Sequence, residues 1–239
     1  MATSSPRRGT SNGSTAKRSR VREMAAQATQ ESILRAATKI FAKHGFAGGR
    51  IEQISKAAKS HDRMIYYYFG SKEELFIAVI EDTYRRFNDA EAHVELNLDN
   101  PVEDLKTLVR FMWTYYRQHP EFITLLNSEN LHRGKHISKS LRAREYSSPA
   151  ISLMARVLQR GAQAGAFRPD LRARDVYLMS AALAYFYISN RFTLSAFLGE
   201  DLEAPEAFAY WEEYITDAVL HHVSAPPKGK PNGRASRSA

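Results

Sequence analysis

Two short helices and a tight turn between residues 41 and 80 constrain the fold of this 239-residue chain more than any other feature. Apolar residues at helical spacing give each short helix one buried side. These residues are Ile51, Ile54 and Ala58 in the first helix, and Ile65 and Phe69 in the second. Ser71 and Glu74 then open a longer helix as a capping box, in which each side chain satisfies a free amide of the other residue. The segment therefore predicts a helix-turn-helix that leads directly into a further helix.

The second short helix also has the size and the side chains to enter a DNA major groove. With Ile65 and Phe69 in the core, Asp62, Arg63 and Met64 project from its first turn. Arg63 is the best candidate for base recognition, because a guanidinium group can bond guanine O6 and N7 together; a solvated surface charge is the alternative. Met64 either contacts a thymine methyl group or packs internally, and the sequence leaves both alternatives open.

The segment resembles the DNA-binding domain of the tetracycline-repressor (TetR) family. In that family Ile/Leu, Tyr, any residue, His/Tyr and Phe precede Ser/Asp-Lys-Glu and a leucine. The matching residues here are Ile65, Tyr66, Tyr67, Tyr68, Phe69, Ser71, Lys72, Glu73 and Leu75. The resemblance implies that Tyr66, Tyr67 and Tyr68 donate hydroxyls to DNA phosphates, and that Lys72 contacts a phosphate at a helix start whose free amides favour an anion. Arg50, at the start of the first short helix, is a further candidate for a phosphate or groove contact.

The turn between the two short helices departs from the family pattern. Family members usually have glycine where Lys59 stands, valine where Ser60 stands and a capping serine where His61 stands. Lys59 can adopt the left-handed conformation itself, at a cost of about 1 kcal/mol, and we expect Ser60 or Asp62 to cap the next helix. One helix cannot bury three consecutive tyrosines on a single face, so at least one is exposed, and Tyr67 is the best candidate.

Positive charge is concentrated at the predicted DNA-binding end and at both tails. The net charge of +8 divides into +5 for residues 1–28, +3 for 29–75, −4 for 76–223 and +4 from residue 224 onwards. Basic residues neutralise phosphates and release counterions, so this distribution suits a polyanion at one end of the molecule. Taken alone, the tails are explained better by solubility than by a role in DNA binding. The chain has no cysteine, which excludes disulfides, thiolate zinc sites and a cysteine nucleophile.

Helical periodicity between the tails predicts an all-α protein of about nine helices. We expect a disordered basic tail over residues 1–24, a helix-turn-helix domain over 25–75, a helical effector-binding and dimerisation domain over 76–223, and a second disordered basic tail over 224–239. The first helix is predicted to start near Thr29 and to stop at Gly45, a residue suited to the left-handed end of a helix. No apolar run reaches the roughly 20 residues of a membrane span. The expected protein is soluble and cytoplasmic, with no membrane partner.

The predicted larger domain has no arrangement of residues that indicates an enzyme, and neither a metal nor a cofactor is expected. It has no glycine-rich phosphate loop, no HExxH motif and no Ser-His-Asp grouping supported by spacing. The nearest metal-like grouping is Glu129, His132 and His136, but Gly134 interrupts the helix that would align them. We therefore interpret these three as surface residues.

Aromatic residues with a few polar neighbours in this domain describe either a small-molecule pocket or an ordinary helical core. The candidates are Trp113, Tyr116, Phe122, Asn127, Asn130, Tyr146, Met154, Tyr185 and Asn190. The sequence alone leaves pocket and core equally open. The resemblance favours a pocket, because TetR-family members commonly bind a small effector in this domain.

A long helix over residues 172–197 is apolar on most of its circumference and must be buried on most sides. One side packs on its own domain, and small residues such as Ser180, Ala182 and Ala184 would let a second copy approach the other; the alternative is the central helix of a monomer. The resemblance implies a homodimeric repressor that an effector releases from a pseudo-palindromic operator on double-stranded DNA. The alternatives are a DNA-binding protein without small-molecule input, or a helical enzyme or lipid carrier with a vestigial DNA-binding head.

Overall fold

The computed structural model describes residues 12–97, 99–142 and 148–226. These ranges hold nine α-helices, one short 3-10 helix at Ile137–Lys139 and an isolated bridge between Phe167 and Ser224. The α-helices are α1 Asn12–Gly48, α2 Ile51–Ala57, α3 Asp62–Phe69, α4 Lys72–Ala92, α5 Pro101–Gln118, α6 Pro120–Leu131, α7 Ser148–Gln163, α8 Ala173–Leu198 and α9 Pro205–Val223. The prediction of an all-α fold with about nine helices is confirmed.

The chain divides into two compact units. The first contains the residues up to Asp82 together with Thr124–Ser140, and the second contains Thr83–Ile123 together with the residues from Leu141 onwards. The helix-turn-helix lies in the first unit, which also includes the last two turns of α6 and the loop after it. The predicted domain limits of 25–75 and 76–223 assign this later segment to the larger domain.

The first helix starts earlier than predicted. It begins at Asn12 rather than near Thr29, so residues 12–24 are helical where a disordered tail was expected. Residues 17–24 are all exposed and show no apolar period. Helix formers such as alanine, arginine and glutamate nevertheless extend a helix that packing has already nucleated. Residues 1–11 and the predicted tail from residue 227 onwards lie outside the described residues.

Gly45 interrupts α1 with a φ angle of +67° and a ψ angle of 179°, so φ is positive but the conformation is not the predicted left-handed one, and α1 ends at Gly48 rather than at Gly45. The chain then passes Gly49, which is buried against Phe41. A Cβ atom at Gly49 would lie 2.5 Å from the Phe41 ring, so this position requires glycine for the close approach of the backbone. Gly45 thus lets the chain bend within α1, and Gly49 lets it pass close to the Phe41 ring before α2 begins.

The core of the first unit is formed by the apolar side of α1 and the buried sides of the three helices that follow. Ile33, Ala37, Phe41, Ile51, Ile54, Ile65, Leu75 and Phe76 are buried. The rings of Phe41 and Phe76 meet edge to face, with centroids 5.1 Å apart. The Ser32 hydroxyl donates a hydrogen bond of 3.1 Å to the Ala58 carbonyl, which ties α1 to the end of α2.

In the second unit, α5 packs against α7, α8 and α9. Its buried side carries Leu105, Leu108, Val109, Met112 and Trp113. Asn100 caps the start of α5, because the Glu103 backbone N–H donates to Asn100 Oδ1 at 3.3 Å. The buried residues of α8 are Val176, Ser180, Ala184, Tyr187 and Ile188. Ser180 and Ala184 therefore face their own unit rather than a second copy, contrary to the expectation from their small size.

Gly161 on α7 allows close packing of the buried Phe167 ring. A Cβ atom at Gly161 would lie 1.8 Å from Phe167 Cδ2, and the Phe167 N–H donates to the Gly161 carbonyl at 3.1 Å. We predict that Gly161→Ala destabilises the second unit by about 1–3 kcal/mol, because the added methyl overpacks the core. Thermal unfolding followed by circular dichroism measures the effect. Ala155→Ser, an exposed change on the same helix, is the control, and an unchanged melting temperature for Gly161→Ala would contradict the prediction.

Candidate nucleic-acid interface

The turn between α2 and α3 is held by a left-handed lysine and a side-chain bond. Lys59 has a φ angle of +52°, which confirms the predicted conformation. The predicted cap is wrong: the residue before α3 is His61, and its side chain makes no capping hydrogen bond. Asp62 is already the first residue of α3, and its carboxylate accepts a hydrogen bond from the buried Ser55 hydroxyl of α2. Asp62 thus fixes α3 against α2 instead of capping it.

One face of α3 is buried and the opposite face is exposed. Ile65 has no exposed surface, while Tyr66 and Tyr67 are 51% and 77% exposed, so Tyr67 is the most exposed of the three tyrosines, as predicted. Arg63 is exposed as well. Residues 63, 66 and 67 are spaced by three and four along the helix, which places them on one face. The structure therefore brings Arg63, Tyr66 and Tyr67 together as a polar and aromatic stripe, which we call the α3 stripe.

The remaining predicted residues of α3 lie at the edges of this stripe. Asp62 is exposed despite its bond to Ser55, whereas Met64, Tyr68 and Phe69 are half-buried. The Tyr68 ring packs edge to face against Tyr67, with centroids 5.1 Å apart. Tyr68 is therefore in a position to support Tyr67 from the side. The half-burial of Met64 leaves both of its alternatives open.

Lys72 and Arg50 lie at the starts of α4 and α2. The Lys72 amine lies 4.9 Å from the centre of the Phe46 ring and donates a hydrogen bond of 3.4 Å to the Ala47 carbonyl. Partial burial lowers the pKa of Lys72, and nearby Glu52 opposes this shift. The Arg50 side chain is exposed, and its backbone N–H donates to Gln53 Oε1 at 3.4 Å. Lys72 is thus held in one place, whereas no ion pair with a described residue anchors the Arg50 guanidinium.

The start of α4 shows half of the predicted capping box. The Glu74 backbone N–H donates to Ser71 Oγ at 3.1 Å. α4 therefore begins at Lys72 with its free amides directed towards the residues that precede it, an arrangement that favours an anion.

A buried acid–imidazole pair holds the loop after α6 within the first unit, and sequence reasoning missed it. Glu129 is 6% exposed and His136 is 1% exposed, with Glu129 Oε2 and His136 Nδ1 2.7 Å apart. The other carboxylate oxygen of Glu129 accepts hydrogen bonds from the backbone N–H groups of His136 and Ile137, at 2.7 Å and 2.9 Å. All three donors lie in one turn of the loop, so the single carboxylate determines its path.

This pair docks the loop onto the end of α1 and the start of α4. The His136 ring lies 4.4 Å from the Phe46 ring and 4.9 Å from the Phe76 ring, measured between centroids. Lys139 also forms an ion pair of 2.7 Å with Glu73 on α4. Since Phe46 also supports Lys72, the loop contacts the same ring that positions a predicted phosphate-binding amine.

The interpretation of Glu129, His132 and His136 as surface residues is wrong for Glu129 and His136. The His132 ring is half-buried, and its Nδ1 lies 2.7 Å from the Ser128 carbonyl. Spacing alone could not show that the loop turns back at Gly134, where φ is +71°. Among the described residues, no three or more His, Asp or Glu side chains are arranged so that they could hold a metal ion.

The residues predicted to line an effector pocket are divided between the two units. Asn127 and Asn130 belong to the first unit, and Asn130 is exposed. The others that the structure describes belong to the second unit: Trp113, Tyr116, Phe122 and Met154 are buried, and Tyr185 and Asn190 are half-buried. The Asn190 amide donates to the Phe186 carbonyl at 2.8 Å, within its own helix. Tyr146 lies outside the described residues.

Two open cavities in the second unit have volumes of about 510 Å³ and 720 Å³. The first is lined by α7 and by residues 168–173, and the second by α7, Asp99 and Pro101. None of the predicted pocket residues lines either cavity. The described helices include none that is long and apolar enough to cross a membrane.

A short second helix with one exposed face, packed on a partly buried first helix across a tight turn, is typical of a DNA-binding protein of the helix-turn-helix class. Residues 33–79 match the family of bacterial regulatory proteins described as the tetR family, and residues 101–219 match a tetracyclin repressor-like C-terminal domain. The chain belongs to the TetR family of transcriptional regulators, which are not enzymes.

Named relatives agree with this family. The chain is 52% identical over 200 residues to the HTH-type transcriptional repressor NicS of Pseudomonas putida, covering 84% of this chain and 94% of NicS. Among solved structures, the fatty acid degradation regulator FadR of Bacillus halodurans superposes with a TM-score of 0.61 at 21% identity, covering 80% of this chain and 93% of FadR. The hemolysin II transcriptional regulator HlyIIR superposes with a TM-score of 0.54 at 23% identity, covering 84% and 99%. The two structural matches support the fold.

We predict that Glu129→Ala destabilises the first unit. The change removes the acceptor of three hydrogen bonds and leaves the His136 ring and two backbone N–H groups unpaired, at about 1–3 kcal/mol for each buried group. Thermal unfolding measures the loss, and Glu31→Ala, which removes an exposed carboxylate from α1, is the matched control. Equal melting temperatures for the two variants would show that the pair does not hold the loop.

Proposed function

We propose that the protein is a homodimeric transcriptional repressor, which binds a pseudo-palindromic operator and is released by a small-molecule effector. The observation that carries this proposal is the α3 stripe, which stands opposite the fully buried Ile65. An exposed arginine beside two exposed tyrosines on a short helix packed by its other face has the chemistry to read a major groove. The 52% identity to a protein named as a repressor supports the sign of regulation.

Each DNA-binding residue has a separate task in this proposal. Arg63 recognises a guanine through two hydrogen bonds, while the hydroxyls of Tyr66, Tyr67 and Tyr68 donate to phosphates on either side of the groove. Lys72 places a cation at the amino-terminal end of α4, where the free helix amides bind the same phosphate. Arg50 adds a further phosphate contact from the start of α2, and Asp62 keeps α3 in place.

The outer faces of α8 and α9 supply the surface for a second copy. Large apolar side chains are exposed on both helices: Leu178, Phe186, Phe192, Phe197, Leu198, Tyr210 and Tyr214. Several large exposed apolar side chains on two neighbouring helices are uncommon on a monomer and typical of an interface. A two-fold axis through it gives the dimer two α3 helices, which read half-sites about one helical turn, or a multiple of it, apart.

Effector release follows from differential affinity. α4 contributes residues 72–82 to the first unit and residues 83–92 to the second. An effector that binds the second unit more tightly in the conformation that cannot span both half-sites shifts the population away from DNA. The helix shared by the two units is the element that carries this change.

The DNA-binding proposal is tested by selecting genomic fragments with the purified protein at near-physiological salt. We expect a small set of fragments that share one inverted repeat. Arg63→Ala should weaken binding to this repeat by about 1–3 kcal/mol and relax the preference at one base pair of each half-site. Arg35→Ala on α1 removes the same charge from an exposed position in the same unit. Equal losses for both variants would indicate binding by charge alone and would refute base recognition by Arg63.

The dimer is tested by placing a charge on the outer face of α8. Phe186→Glu is expected to give a monomer in sedimentation velocity and to weaken operator binding at least ten-fold, because one half-site is lost. Leu131→Glu, which charges an exposed apolar residue of α6 in the first unit, should leave both properties unchanged. A Phe186→Glu variant that sediments as a dimer would refute this interface.

A further inference from the structure

The second unit buries two carboxyl groups: that of Asp104, which accepts a hydrogen bond from the Asn97 backbone, and that of Glu91. Glu91, near the end of α4, is 3% exposed. Within the described part of the chain, no hydrogen bond or ion pair involves its carboxyl group. Burial raises the pKa of Glu91 to about 7. A buried acid that makes no bond lowers stability, so its position needs an explanation other than folding.

Aromatic rings surround this side of α4. Tyr84, Phe87 and Glu91 are spaced by three and four residues and therefore share one face of the helix. The Phe122 ring lies 5.7 Å from Tyr84 and 5.5 Å from Phe87, and the Tyr116 ring stacks on Phe122 at 5.4 Å. The face of α4 that carries Glu91 is thus lined by aromatic side chains from α5 and α6.

Tyrosines from α5 and α8 complete the surroundings of Glu91. Burial raises the pKa of Tyr116 on α5 and of Tyr177 on α8, and the negative charge of Glu91 raises both further. The pKa of Tyr116 is also raised by Tyr185, which lies two turns after Tyr177 on α8. Two helices, α5 and α8, therefore bring phenol rings close enough to Glu91 to interact with its charge.

We propose that Glu91 and the tyrosines around it form the effector site of this protein, and that the site takes a small aromatic organic cation. This inference rests on the proposed effector-controlled function and names the class of its ligand. The Glu91 carboxylate pairs with the positive group, while the faces of the surrounding rings attract the same charge through cation–π interactions. An anionic ligand would meet the carboxylate as a like charge, and a neutral one would not use it.

Tyr116, Tyr185 and Phe122 belong to the residues predicted for a pocket from the sequence, and Glu91 explains what they would select. A ligand cation supplies the partner that the carboxyl group lacks in the protein alone. Glu91 is then a residue kept for binding at the expense of stability, as functional sites often are. Glu91→Gln, which removes the charge and keeps the shape, should therefore leave the melting temperature of the unliganded protein unchanged or raise it.

The test uses three planar probes that share one ring and differ in charge: benzamidine, benzamide and benzoate, each with its naphthalene counterpart. Calorimetry on the full chain measures the affinity of each probe, and fluorescence anisotropy measures release from the selected operator. Glu91→Gln is compared with Glu95→Gln, the same change at an exposed position four residues later. We expect the amidines to bind and release the operator, and Glu91→Gln alone to weaken amidine binding at least ten-fold.

Three outcomes would overturn the inference: binding of the neutral or anionic probes as tight as that of the amidines, amidine binding that survives Glu91→Gln, or no binding of any probe. The comparison of probes on the wild-type chain decides the question even if Glu91→Gln does not fold. Operator binding without any probe is measured first. If the protein without a probe does not bind the operator, the proposed function is refuted. If it binds the operator but does not prefer the amidines, only this inference is refuted.

Discussion

Burial of Ile65 against α1 and α2 is the constraint on which the DNA-binding surface depends. An eight-residue helix is too short to persist in water without packing partners, so α3 exists because one side is held in the core. The same contact determines which residues face outwards. Once Ile65 is buried, Arg63, Tyr66 and Tyr67 have no other direction to point. The Asp62–Ser55 bond then limits how far α3 can rotate about this contact. The residues that face the DNA are thus determined by which side of α3 packs in the core.

The helix-turn-helix could be predicted from the sequence because its determinants are local. Apolar spacing gave the limits of α2 and α3, the turn pattern indicated a left-handed conformation at Lys59, and a crowded face left Tyr67 exposed. The cap of α3 was mispredicted because the Asp62 side chain bonds across the turn to Ser55. The spacing of residues does not show whether a polar side chain bonds within its own helix end or to another helix. The start of α1 was missed for a different reason: an exposed helical extension has no apolar period to detect.

The contacts made by distant segments could not be predicted. From the sequence, Glu129 and His136 were expected at the surface, yet they form a buried pair in the first unit, because the loop turns back onto α1 and α4. Likewise, Ser180 and Ala184 have the size expected at a close helix interface, but periodicity cannot tell an interface within one chain from one between two copies. In both cases the burial of a residue depends on which distant segment packs against it, and the spacing of residues in one sequence does not show this.

Lys59 combines two requirements that oppose each other. A glycine in this turn would adopt the left-handed conformation without strain, but it would carry no charge. The lysine accepts about 1 kcal/mol of backbone strain and places an exposed cation in the turn that leads into α3. No residue type offers both an unstrained positive φ and a positive charge. A residue at this position can therefore either lower the strain of the turn or attract a polyanion, and Lys59 does the latter.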